Sequence, residues 1–208
     1  MGRQGLPNLN SPVSLLPPCS RTSSRHVTFT PSTGLLILTD TNSFAYKEKS
    51  AELEVLVKVY LDVCCLCRPF DDQKMNRIHL EAEAIKEILM RCTRDWTLVT
   101  SDAVSFEISR IPDRTRMKKA QNFTDLAKEH VAITKTVSLR YHEFVEMGID
   151  SPDALHLACA ESAGADLLTT DNTIIKIIKK HRNQITIEVK NPVEWLMEVN
   201  EHGSKDTQ

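Results

Sequence analysis

The chain has 208 residues, 41% of them hydrophobic and 26% charged, which suits one buried domain with an appendage and excludes a fibrous or wholly disordered chain. No run approaches the roughly twenty apolar residues that span a bilayer. The net charge is −2, and residues 1–39 carry Arg3, Arg21 and Arg25 without an acid, so the remainder holds about −5 and is no basic nucleic-acid coat.

From Met1 to about Thr41 the sequence is rich in Ser, Pro, Thr and Gly, with one short apolar patch at Leu35–Leu38. That composition predicts disorder. A secretory leader needs a longer apolar core, whereas arginine and serine without acids also fit an organelle transit peptide, and a mis-assigned start fits equally. Residues 42–56 read as a linker or a short helix. The expected organisation is therefore an N-terminal extension over 1–54, a domain over 55–200 and a flexible tail over 201–208, with a cytoplasmic location if the extension is not a targeting signal.

Val57, Val59, Tyr60 and Leu61 form a β-branched and aromatic run that ends on Asp62. In an open α/β sheet ligands bind at the carboxyl ends of strands, so an acid there marks a site. The cysteines at 19, 64, 65, 67, 92 and 159 have no disulfide-framework spacing and predict reduced thiols. Cys64 and Cys67 make a C-x-x-C that reads as a redox pair, as a zinc site with His79, or as buried small apolar side chains.

Ile78, Ala82, Ile85, Leu89 and Cys92 follow the spacing of an amphipathic helix over Arg77–Cys92, with Glu81 near its apolar stripe. Trp96–Thr100 reads as a second strand, and Ser101 as the N-cap of a helix to Arg110 that carries Glu107. A polar helix over Arg114–Lys128, a third strand over His130–Thr134 and a helix to Met147 closed by Gly148 follow. Ser151-Pro152-Asp153 predicts a helix start, with Ser151 as N-cap, and the helix it opens is apolar nearly all round, hence buried. His156, inside it, reads as a core histidine with its hydrogen bonds met. Asp166–Thr170 is a fourth strand running into Asp171, Ile185–Val189 a fifth, and Pro192 starts a last helix through Trp195 to about Val199. The alternation predicts a parallel sheet covered on both faces.

Asp62, Glu107, Asp153 and Asp171 thus stand at strand ends or on the helices that follow them. On a parallel sheet such loops open on one rim, where converging carboxylates repel unless a cation lies between them. A hard divalent ion, Mg²⁺ or Mn²⁺, suits oxygen ligands and phosphodiester chemistry. Singly, Asp153 is equally a first-turn dipole partner and Asp171 an N-cap.

The run VYLDVCCLCRPFDDQ, the helix with Glu107, the phrase DALHLACA and the step LLTTDN together resemble the PIN-domain family, close to toxin ribonucleases of VapC type. The resemblance covers Val57 to Trp195. It implies a three-layer α/β/α sandwich around a five-stranded parallel sheet and an acid quartet, here Asp62, Glu107, Asp153 and Asp171, that binds Mg²⁺ or Mn²⁺. It also implies cleavage of single-stranded RNA leaving a 5′-phosphate and a 3′-hydroxyl, with an antitoxin protein as partner. Where the family often has Ser, Thr or Asn after the first Asp, this chain has Val63 and Cys64. Arg68 is either a substrate-phosphate contact or, beside Asp71 and Asp72, half of a salt bridge, and Asn172 is an expected substrate contact. Glu81 is either an outer partner of the metal or half of an ion pair with an arginine. Lys118, Lys119, Lys179, Lys180 and Arg182 are candidates for a phosphate-binding patch, and a homodimer would assemble a groove that one subunit lacks. The other reading is a catalytically silent scaffold that binds RNA or protein.

Overall fold

The computed structural model describes residues 27–29, 36–38 and 57–203. The chain divides into two compact units, Met1–Ala51 and Glu52–Gln208. In the first, β1 (Val27–Phe29) pairs antiparallel with β2 (Leu36–Leu38), so the apolar patch expected to be unstructured supplies a strand. The rest of the expected extension, including the linker or helix over 42–56, lies outside the described residues.

The second unit is a three-layer α/β/α sandwich. Its sheet runs in the order β5-β4-β3-β6-β7, all parallel: β3 (Lys58–Leu61), β4 (Thr97–Ser101), β5 (Glu129–Val131), β6 (Asp166–Leu168) and β7 (Val189–Lys190). The chain builds outward from β3 to one edge, then returns to pair β6 with the other side of β3. That reversal creates a crevice at the carboxyl ends of β3 and β6. The central strand is apolar on both sides, and Val59, Tyr60 and Leu61 are buried accordingly.

The helices are α1 (Val63–Cys67), α2 (Asn76–Cys92), α3 (Asp102–Ser109), α4 (Arg114–Thr124), α5 (Lys135–Glu146), α6 (Ser151–Ala163), α7 (Asn172–Lys180) and α8 (Pro192–Gly203). The amphipathic α2 sends Ala82, Ile85, Ile88 and Leu89 into the core and packs on α8, while α6 packs on α5 and α3. Ala154 and the run His156–Ala160 are all buried, as a helix without a polar face requires. It ends on Gly164 at φ +62, a left-handed position where a side chain is disfavoured.

Three expectations shift. Residues 63–67 are helical, followed by a 3-10 turn at Arg68–Phe70; five residues are too few to display a period. The N-cap of α6 is Asp150, not Ser151, whose hydroxyl instead meets the Tyr141 hydroxyl at 2.7 Å. The fifth strand is only Val189–Lys190, because the Thr186 and Glu188 amides donate to the side chains of Glu161 and Asp166 rather than to a strand, and α8 runs to Gly203, into the segment expected to be a free tail. Residues 204–208 lie outside the described ones. Among the described residues all five cysteines are free thiols, and no helix is long and apolar enough to cross a membrane.

Candidate metal centre

Asp62 leaves β3 with extended backbone, and its carbonyl accepts the amides of Cys65 and Leu66 that begin α1. Its side chain makes no capping bond, so the carboxylate is free to face the crevice. Oδ2 accepts hydrogen bonds from the Cys64 thiol at 2.8 Å and the Thr169 hydroxyl at 3.0 Å. Oδ1 lies 3.8 Å from His156 Nε2. The thiol of Cys64 thus supplies a donor where the sequence comparison had expected a hydroxyl or amide.

Glu107 reaches the same place from the next strand. Ser101 ends β4 and caps α3 by accepting the Val104 amide at 3.2 Å, which brings Glu107 to the rim in the second turn. Its side chain is 45% exposed, and Oε2 lies 2.8 Å from His156 Nε2. His156, 3% exposed, fills its other ring nitrogen with the Tyr60 hydroxyl at 2.8 Å. It is therefore a core histidine with its hydrogen bonds met and, at the same time, a member of the site. The signal for it was its position three residues after Asp153, on one face of α6.

Ligand atoms of Asp62, Glu107 and His156 lie within 4.8 Å of one another, the one such group among the described residues. The other two expected acids are not in that group. Asp153, in the first turn of α6, has its pKa pushed up to about 6, first by burial and then by the charges of Asp62 and Asp171, with His156 pulling the other way. Asp171 is exposed and caps α7, accepting the Thr173 amide at 2.7 Å, while its own amide donates to Thr169 Oγ1 at 3.1 Å. Burial opposes charge on His156, but the Glu107 hydrogen bond and the charges of Asp62, Glu107 and Asp153 outweigh it and raise its pKa.

This donor set suits a hard divalent cation. Burial first, and the charges of Asp62 and Asp171 second, disfavour the ionised form of Asp153, and a cation among these carboxylates would relieve the charge part of that penalty. Asp62, Glu107 and His156 are the described side chains whose ligand atoms lie close enough to share one ion. No such group forms from Cys64, Cys67 and His79, so the zinc reading of the C-x-x-C has no geometry behind it among the described residues.

Glu81 takes the ion-pair role. It is 1% exposed, paired with Arg77 at 2.8 Å and Arg68 at 3.0 Å, and accepts from Asn191 Nδ2 at 2.8 Å. Arg68 also pairs with Asp71 and donates to Thr170 Oγ1 at 2.6 Å, and Arg77 donates to the Thr170 carbonyl at 2.8 Å. The pair of guanidiniums therefore braces the residue before Asp171. Arg68 and Asn172 share an open cleft of about 490 Å³ with Arg77, Glu81, Thr170 and Asp171. In the proposed basic patch, Arg182 is committed to Glu188, and Lys119 lies over the ring of Phe70 at 5.1 Å. Phe70 is partly exposed and stacks on Phe123. Trp195 is in the core, 3% exposed.

A family profile described as "PIN domain" matches residues 59–180. No curated protein matches the chain. Among solved structures, the chain is similar to FitAcB from Neisseria gonorrhoeae (15% identity over 64% of this chain and 97% of that one, TM-score 0.45). It is likewise similar to VapBC2 from Rickettsia felis bound to a DNA fragment from their promoter (16%, 65% and 98%, TM-score 0.47). A third is VapBC-1 from nontypeable Haemophilus influenzae (14%, 65% and 98%, TM-score 0.46).

Proposed function

The chain belongs to the PIN domain family, and from that premise we propose that it is a Mg²⁺- or Mn²⁺-dependent endoribonuclease acting on single-stranded RNA. PIN domains are generally nucleases. The observation that carries the reading is the meeting of Asp62, Glu107 and His156 at the sheet's reversal point, with Asp153 held in the field of Asp62 and Asp171. A divalent ion bound there supplies an acidified water as nucleophile and neutralises charge on the phosphoryl oxygens.

The protein's own part is to hold and orient. Asp62 is fixed by Cys64 and Thr169, and Glu107 by His156, so neither carboxylate must be ordered when ion and RNA arrive. Arg68, Arg77 and Asn172 line the cleft next to Asp171, where guanidinium and amide groups suit a neighbouring phosphate of the strand. With a net charge of −2, phosphate contacts of this kind must be local, or shared across a homodimer.

Asp62→Asn in the full chain, tested on a panel of single-stranded RNAs with Mn²⁺, should abolish cleavage; cleavage at the wild-type rate refutes the proposal. Calorimetric titration with Mn²⁺ separates an active centre from a silent scaffold, which would show no carboxylate-dependent binding. A role as the toxin of a toxin–antitoxin pair, with a small protein blocking the site, rests on the family resemblance. Growth arrest on expression that Asp62→Asn relieves is its test. The free thiols suit a reducing compartment such as the cytoplasm.

A further inference from the structure

Beneath the acid cluster lies a chain of buried polar groups that metal binding alone does not require. Tyr60 is fully buried, and its hydroxyl has two partners, Ser101 Oγ at 2.6 Å and His156 Nδ1 at 2.8 Å. Ser101, also fully buried, accepts the Val104 amide with the same oxygen. His156 Nε2 faces Glu107 Oε2 at 2.8 Å.

We propose that His156 is a positioning residue that holds Glu107 through an Nε2–H, its ring anchored on the other side by the Tyr60 hydroxyl at Nδ1. The hydrogen count carries this. If Tyr60 donates to Nδ1, Ser101 donates to the phenol oxygen while still accepting from Val104, and the ring proton sits on Nε2, pointing at Glu107. If Tyr60 donates to Ser101, its oxygen accepts from an Nδ1–H, and a neutral ring would present a bare Nε2 lone pair to a carboxylate at 2.8 Å. That repulsive contact is relieved only by a second ring proton, again on Nε2. Both arrangements place a hydrogen between His156 Nε2 and Glu107 Oε2.

The consequence is mechanical. Glu107 is a long side chain, nearly half exposed on an eight-residue helix, and would sample many rotamers without a tether. Ser101 supplies two constraints at once, because the hydroxyl that starts α3 also fixes the phenol that orients the imidazole. Outer hydrogen bonds of this kind commonly change metal affinity by about 10- to 100-fold.

The inference rests on the reading of Asp62 and Glu107 as metal-holding groups, and the tests keep the two apart. Long-range ¹H–¹⁵N correlation spectra of the full chain, without and with Mg²⁺, should show a protonated Nε2 at His156 in both. Loss of that proton, or a metal-ligated Nε2 shift with Zn²⁺ as probe, overturns the proposal. Calorimetry with Mn²⁺ should find binding weakened at least about tenfold in His156→Ala and restored in His156→Gln, whose amide offers an N–H at the same reach. Wild-type affinity in His156→Ala overturns it as well. If Asp62→Asn leaves Mn²⁺ binding intact, the metal-centre reading fails, while the spectra still decide the tautomer and Glu107→Gln must shift the Nε2 resonance if the tether exists. The spectra of the unaltered protein stand even if a variant does not fold.

Discussion

Replacing Asp153 with asparagine should stabilise the protein at neutral pH. The carboxyl has a pKa raised from 3.8 to about 6, by burial first and by Asp62 and Asp171 second. A group whose folded pKa lies above its unfolded value favours folding while protonated, so its contribution is full below about 4 and is lost as pH rises through about 6. At pH 7.5 the ionised side chain therefore works against the fold. A shift of that size corresponds to about 3 kcal/mol, and since the side chain is only partly buried, screening reduces the expected gain to about 1–2 kcal/mol. For a unit of this size that raises Tm by about 2–8 °C. Thermal unfolding of wild type and Asp153→Asn should be compared at pH 7.5 and at pH 4, where the difference should vanish. Repeating the pH 7.5 measurement with Mn²⁺ should narrow it, because the cation relieves in the wild type what the substitution removes. If Asp153→Asn is no more stable at pH 7.5, or its advantage persists at pH 4, the crowding of charge on this rim is refuted.

Glu81→Ala should be among the most damaging substitutions away from the rim. It removes the acceptor that Arg68, Arg77 and Asn191 share, but Arg68, 19% exposed, keeps Asp71 and Thr170, and Arg77, half exposed, can turn to water, so the loss should be about 2 kcal/mol. Urea denaturation measures it, and a loss under 1 kcal/mol would contradict the pairing. Cys64→Ser keeps a donor within reach of Asp62 and should preserve RNA cleavage within about threefold, whereas Cys64→Val removes that donor, leaving Asp62 Oδ2 to Thr169 alone, and also removes the acceptor of the Thr170 amide, and should cost about 1 kcal/mol of stability or more. Equal activity in the serine and valine variants would show the thiol contact to be idle.

Much of the fold lies on the surface of the sequence because its elements are locally complete. The run ending at Asp62 is apolar where a central strand must be, and the helix after Pro152 has no polar face to give to water. What local pattern could not reveal is short or distant. The five residues of α1 and the two of β7 fall below the length at which a period shows. His156 was assigned to the interior because Leu155 and Leu157 flank it, yet its partners are Glu107, 49 positions away, and Tyr60, 96 positions away. Asp171 meets its N-cap reading, accepting the Thr173 amide at the start of α7, and it is not among the residues whose ligand atoms meet. Glu81 lies beside an apolar stripe because two guanidiniums cover it, a pairing visible only once Arg68 and Arg77 are brought to it from two directions.

The sheet's order of growth also governs when the crevice comes into existence. Val59 finds Leu98 on β4 only 39 positions along, but meets Asp166 on β6 after 107. A nascent chain emerging from the ribosome can therefore assemble half of the sheet with Asp62 and Glu107 aboard while the wall carrying Thr169 and Asp171 is still being synthesised. Contacts of such separation form late. The unfinished polypeptide lacks one side of the crevice, so any activity housed there, such as the proposed nuclease, has to wait until nearly the whole domain has been translated.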